Sequence, residues 1–191
     1  IEDIKTASRN PMIINQKIRC IMKPKLIILL VFFSTSIFAQ DFFQGTIITQ
    51  RYDTISNVKI KKISEGKSLL HISYIDDKGN TQNPAINSIK CYSRGEDNFV
   101  RIFHNGEMIL VKQVVKGNNL NLYARHINGG DTYFIEKVFD ELIKVPSIKG
   151  KFRKVIGNFL SDYSTVSAQI KEKKLTDIEE IVHICNKGET L

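Results

Sequence analysis

Residues 98–116 read NFVRIFHNGEMILVKQVVK, two apolar-rich runs separated by Asn105-Gly106. An Asn-Gly pair between such runs is the strongest short hairpin signal, because the tight turn that matches strand twist needs positive φ at both central residues. The runs 98–104 and 107–116 are therefore expected to be antiparallel partners. Both carry apolar residues on both faces, as strands do in a sheet that curls towards a barrel or is covered by helices.

Outward from this hairpin the period stays at two. Upstream, 45–50 (GTIITQ) and 55–63 (ISNVKIKKI) flank a short RYDT turn, with Val58 and Ile60 facing a core and Lys59 and Lys61 facing water. Ile63 breaks that parity, which suggests a bulge there. A further strand is expected at 68–75, with Leu70, Ile72 and Tyr74 on one face. It ends in Asp76-Asp77-Lys78-Gly79-Asn80, a plain turn rather than a calcium loop, since Lys78 interrupts the oxygen ligands and no closing glutamate follows. Pro84 makes 81–87 a loop or an edge. Strands at 89–93, 120–127 and 132–139 complete about eight, joined by glycine- and asparagine-rich links.

After Pro146 the period becomes helical. Phe152, Val155, Ile156, Phe159 and Leu160 line one face of a first helix, Ser161-Asp162 breaks it, and Tyr163, Val166 and Ile170 mark a second. A third is announced by Thr176 and Glu179 as a capping box, carries Ile178, Ile181, Val182 and Cys185 on one stripe, and stops at Gly188. The expected fold is thus α+β: an antiparallel β-meander over about 45–139, curled or partly open as a barrel, sealed by about three helices over 147–188.

The stretch 22–45, MKPKLIILLVFFSTSIFAQDFFQG, has the three parts of a secretory signal peptide: Lys23 and Lys25, an apolar core from Leu26 to Phe33, and a cleavage region with the cut expected between Ala39 and Gln40. Eight apolar residues fall short of the roughly 20 that span a bilayer. Residues 1–21 show no apolar period and are read as an untranslated or non-native upstream segment, with the start at Met22 or Met12. The working domain is then 40–191, exported to the periplasm, the outer membrane or the outside.

Of the full chain's 28 basic and 20 acidic residues, six basic and two acidic ones fall within 1–39. The remaining 22 and 18 leave a net charge of +4, so the alkaline composition is weak grounds for nucleic-acid binding. Cys20 leaves with the leader. Cys91 and Cys185 remain in an oxidising compartment, where they either pair, stabilising the fold by about 4 kcal/mol in the chain-entropy model, or stay buried as free thiols.

Catalytic and metal signals are sparse. His71, His104, His126 and His183 have no metal-ligand spacing, there is no G-x-S-x-G, and Asp131 and Glu136 have no partner that spacing identifies. Asn128-Gly129-Gly130-Asp131 joins two strands and so is no phosphate loop. No catalytic, cofactor or metal residue is assigned. The one feature that hints at a partner is the basic helical segment, with Lys149, Lys151, Arg153 and Lys154 as a docking patch for an envelope protein, a lipid head group or an acidic polymer.

Gly45-Thr46-Ile47-Ile48-Thr49, Asp53-Thr54-Ile55, Val58-Lys59-Ile60 and Leu160-Ser161-Asp162, behind an F-A-Q cleavage region, resemble a family of exported, β-rich proteins of Gram-negative envelopes. The resemblance covers nearly all of 40–191. It implies export and a strand-rich body with a helical tail, and no activity. Related chains often place a cysteine after the Ser-Asp pair, where Tyr163 stands here. The expectation is an exported, non-catalytic binding or assembly module. A carrier of an apolar ligand inside the curled sheet is the alternative, and a hydrolase the second alternative.

Overall fold

The structure, a computed structural model, describes residues 42–127 and 129–188; at Glu65 only the backbone is described. The leader and its cleavage site at Ala39 and Gln40 lie outside the described residues.

Asn105 (φ 51°) and Gly106 (φ 83°) form the tight turn their chemistry requires, and the hairpin pairs Phe103 with Met108 and Val100 with Val111. Around it, ten antiparallel strands make one open sheet. They are β1 (Phe42–Thr49), β2 (Thr54–Lys61), β3 (Tyr74–Ile75), β4 (Thr81–Gln82), β5 (Ile89–Arg94), β6 (Asp97–His104), β7 (Glu107–Val115), β8 (Leu120–Ile127), β9 (Gly130–Lys137) and β10 (Leu142–Lys144). The order is β10-β9-β8-β7-β6-β5-β1-β2-β3-β4, so two meanders run outward from the β1–β5 pair. The jump from β4 to β5 is a crossing, not a hairpin. It is made by 83–88, which contains Pro84 and a turn of 3-10 helix at Ile86–Ser88.

The sheet is not closed into a barrel. Its β1, β2, β5 and β6 strands curl around a core that includes Ile47, Val58, Ile60, Tyr92 and Phe99. Gly45 permits the curl: a Cβ there would land on the Ser93 carbonyl oxygen, and the β1–β2 ladder slips beside it, between Gly45 and Ile47. The bulge expected at Ile63 is therefore in the opposite strand, because β2 ends at Lys61.

The expected strand at 68–75 is largely replaced by a short helix, α1 (Glu65–Ser68), and an irregular cover leading into β3. Ser68 is the cause. Its hydroxyl donates to the Ser64 carbonyl (3.0 Å), which closes a helical turn, and accepts from Arg94 Nη1 (2.9 Å). Leu69 and Ile72 then turn inward, while Leu70 stays 56% exposed. Tyr92 Oη donates to the Ser68 carbonyl at 2.8 Å, and Arg94, only 6% exposed, also reaches Asp97 Oδ2 at 3.2 Å. These bonds pin the cover over the curl.

Three helices follow β10: α2 (Lys149–Phe159), α3 (Ser164–Lys171) and α4 (Ile178–Lys187). Phe152, Ile156, Phe159, Leu160, Val166, Ile170, Ile181, Val182 and Cys185 are buried against Leu120, Leu122 and Ile135 of β8 and β9, as the helical stripes require. Arg101 faces Leu110, and Lys112 faces Ala124, so strand alternation puts this core on the same sheet face as the curl's core. A third cluster, with Ile102, Val111, Tyr123 and Phe134, occupies the other face. The cap of α4 is Asp177, whose carboxylate accepts from the Glu180 amide at 2.9 Å, one residue beyond the expected Thr176; Glu179 instead receives the Tyr133 hydroxyl at 3.4 Å. Gly188 (φ 68°) ends α4 as read from the sequence. No helix among the described residues is long and apolar enough to cross a membrane.

Candidate binding site

Residues 142–161 carry five basic side chains, Lys144, Lys149, Lys151, Arg153 and Lys154, and no acidic one. β10 brings this stretch along the sheet edge, and the chain then turns through Pro146 into α2. The helix starts badly by its own local chemistry. Its cap, Ile148, offers no side-chain bond and is 70% exposed, and the first turn holds no acidic residue. Cations near a helix N-terminus are unfavourable by about 0.3–1 kcal/mol each at exposed positions. In contrast, α4 begins with Asp177, Glu179 and Glu180.

At this turn lies a groove of about 310 Å³, lined by Pro146, Ser147, Lys149, Phe152, Arg153 and Thr176. Phe152 belongs to the helix–sheet core and gives the groove an apolar floor. Lys149 and Arg153 are four residues apart, hence on one helix face, and both line it. Lys151 and Lys154 project elsewhere and are exposed. The four-residue patch read from the sequence is therefore two groove residues and two outlying charges.

A second groove, about 410 Å³, crosses β7, β8 and β9 between the curl and α4. Glu96, Asp97, Asp131 and Glu179 surround Ala124, with Lys112 bound to Asp97 Oδ1 at 2.9 Å. His126 Nδ1 lies 2.7 Å from Asp131 Oδ1, because the β8–β9 register sets these residues opposite each other. Spacing alone left Asp131 without a partner; the glycine-rich turn that fixes the register was the available signal. Glu136, the other candidate acid, is on the opposite face, where it accepts from Tyr123 Oη (2.6 Å) and Asn121 Nδ2 (2.9 Å). Of the remaining histidines, His104 stands edge-on to Phe134, His183 is exposed on α4, and His71 lies at the mouth of the curl. The four histidines thus lie apart from one another, His126 paired with Asp131 and His104 sharing a groove with Glu107, and no group of three or more His, Cys, Asp or Glu among the described residues is arranged to hold a metal.

The mouth of the curl is an opening of about 620 Å³ between the cover at 70–73 and the crossing at 83–86. Beneath it Ile47, Val58, Ile60 and Phe99 are fully buried. Its lining mixes Leu70, Ile72, Pro84 and Ile86 with Lys61, His71 and Asn83.

Cys91 and Cys185 are free thiols in different neighbourhoods. Cys185 is in the helix–sheet core, whereas Cys91 lies opposite Val100 in the β5–β6 pair, one residue out of phase with buried Tyr92. Burial pushes the Cys185 thiol up to about 11. At pH 8 it is therefore almost entirely protonated, and the thiolate is the reacting form. Cys185 is expected to stay silent towards a disulfide reagent in the native protein and to titrate fully in denaturant. A fast native reaction at Cys185, located by peptide mass mapping, would contradict this placement.

No protein-family model, curated protein or solved structure matches the chain.

Proposed function

We propose that the protein is an exported, non-catalytic binding or assembly module of the cell envelope. Its groove at the start of α2 takes an anionic group with an apolar part. The observation that carries this reading is the pairing of Lys149 and Arg153 above the Phe152 floor, within a stretch that has five cations and no anion. Arg153 can hold a carboxylate or phosphate with two parallel bonds, and Lys149 adds a point charge. The secretory leader read at 22–39 supports an envelope setting, and the separation of the four histidines from one another favours binding over hydrolysis.

The test is fluorescence anisotropy with a labelled Phe-Asp-Glu peptide, alongside co-sedimentation with vesicles of phosphatidylglycerol and with polyglutamate. Saturable binding to at least one probe is expected, weakened tenfold or more by Lys149→Glu with Arg153→Glu. That double substitution should not lower the melting temperature, since Lys149→Glu places an acid in the first turn of α2 and neither side chain is buried. Absence of saturable binding to all three probes, or binding indifferent to the substitutions, would refute the reading.

A further inference from the structure

At the end of the β9–β10 pair away from α2, the turn after Lys137 presents a phenylalanine to solvent. Phe139 is fully exposed and sits at φ 65°. Left-handed backbone costs an ordinary residue about 1–2 kcal/mol, which glycine there would avoid. The turn is firmly made: Lys137 N donates to the Glu141 carbonyl, Asp140 N to the Lys137 carbonyl and Val138 N to the Asn119 carbonyl, each at 2.9 Å. The ring points outward from a turn closed by these bonds. Asp140 and Glu141 flank it, both exposed, and Asp162 stands beside Lys137 at 2.6 Å. Asp140, Glu141 and Asp162 all act on the Lys137 ammonium, so the turn carries three carboxylates against one cation.

The groove has room for the knob and opposite charge. A cavity of about 150 Å³ accommodates a benzene ring, and the groove offers about 310 Å³ over an aromatic floor with Lys149 and Arg153 on its wall. They cannot meet within one molecule. The β10 strand stands between them, with Phe139 before its start and the groove after its end. Acidic residues near the groove are already occupied, Asp177 in capping α4 and Glu179 with Tyr133.

We infer that the partner taken by the groove is a second copy of this chain: Phe139 of one copy inserts between Pro146, Phe152 and Arg153 of the next, with Asp140 and Glu141 against Lys149 and Arg153. This deepens the binding reading above and rests on it. The contact joins unlike surfaces, so each copy keeps one knob and one groove open, and assembly runs head to tail until geometry closes it. One ring and its flanking charges form a small interface, so association is weak and concentration-dependent, at about 0.1 mM and above.

Sedimentation velocity over a concentration series tests this. Wild-type protein is expected to show a sedimentation coefficient that climbs with concentration and falls back at high salt. Phe139→Ser and the pair Lys149→Glu with Arg153→Glu should each raise the concentration needed for association at least tenfold. None of the three substituted side chains, Phe139, Lys149 and Arg153, is buried, and circular dichroism is the check that both variants fold. Mixing the two variants is the decisive arm, because one retains the groove and the other the knob. A 1:1 dimer that grows no further is expected. A wild type that stays monomeric at about 1 mM, variants that associate like wild type, or a mixture without dimer would overturn the inference. Monomeric wild type that still binds the acidic peptide or anionic vesicles through Lys149 and Arg153 would overturn this inference alone and leave the binding reading standing.

Discussion

Phe99→Ala is expected to destabilise the protein by about 3–5 kcal/mol, the range for emptying a large aromatic site in a core. Phe99 is 0% exposed. Its ring stacks on Tyr92 at 4.4 Å with an 11° interplanar angle, and the Arg94 guanidinium lies 5.3 Å from its centre. Removing it withdraws a wall from the bonds by which Tyr92 and Arg94 hold the α1 cover, so collapse of the cavity would be resisted by polar groups with fixed partners. Urea unfolding measures the loss. Phe103→Ala supplies the internal control: it is in the same strand and on the same face, but 64% exposed, and should change stability by no more than about 0.5 kcal/mol. Similar losses at the two positions would mean that the curl is not packed around Phe99.

Gly117→Ala is expected to cost about 2–4 kcal/mol and to lower Tm by about 5–15 °C, although it adds a single methyl group at a turn. The space is already taken. A Cβ at Gly117 would coincide with the Asn186 carboxamide from the last turn of α4. That carboxamide accepts from the Asn119 amide (3.1 Å) and the Leu120 amide (2.9 Å), and donates to the Leu120 carbonyl (2.9 Å). Asn119 Nδ2 returns a bond to the Cys185 carbonyl at 3.0 Å. The helix end and the β7–β8 turn are therefore latched by one side chain. Displacing it strands the polar backbone of Leu120, whose side chain is fully buried, at about 1–3 kcal/mol for each unsatisfied group. Asn186→Ala should weaken the fold by a comparable amount, and the double variant by clearly less than the sum, since both break one latch. Thermal melts of the four proteins settle it; additive losses would show that the two residues act apart.

These two sites were unequally legible. Phe99 stands in an alternating run beside Asn105-Gly106, so a buried role could be read from local pattern. Gly117 looked like an ordinary turn glycine, because the group that needs its missing side chain is Asn186, 69 positions further along. The same distance effect governs the candidate sites. Lys149 and Arg153 could be named in advance, because helical spacing joins them, but the groove they line also needs Pro146 and Thr176. His126 and Asp131 meet only through strand register. Ser68 misled for a related reason: its hydroxyl closes a helical turn and meets Arg94 from β5, and this overrode an alternation of Leu70, Ile72 and Tyr74 that resembled a strand.

The amino-acid sequence alone determined the antiparallel pairing over 89–137, the three helical stripes after Pro146 and the basic character of 142–161. Each depends on residues within about one turn or one hairpin of each other, where backbone geometry fixes the neighbour. Tertiary structure decided the curl, the crossing from β4 to β5, the latch at Asn186 and the opposite placement of Phe139 and the α2 groove. Those depend on which surfaces remain to be buried once local elements exist, and on side chains that distant strands and helices bring within bonding distance.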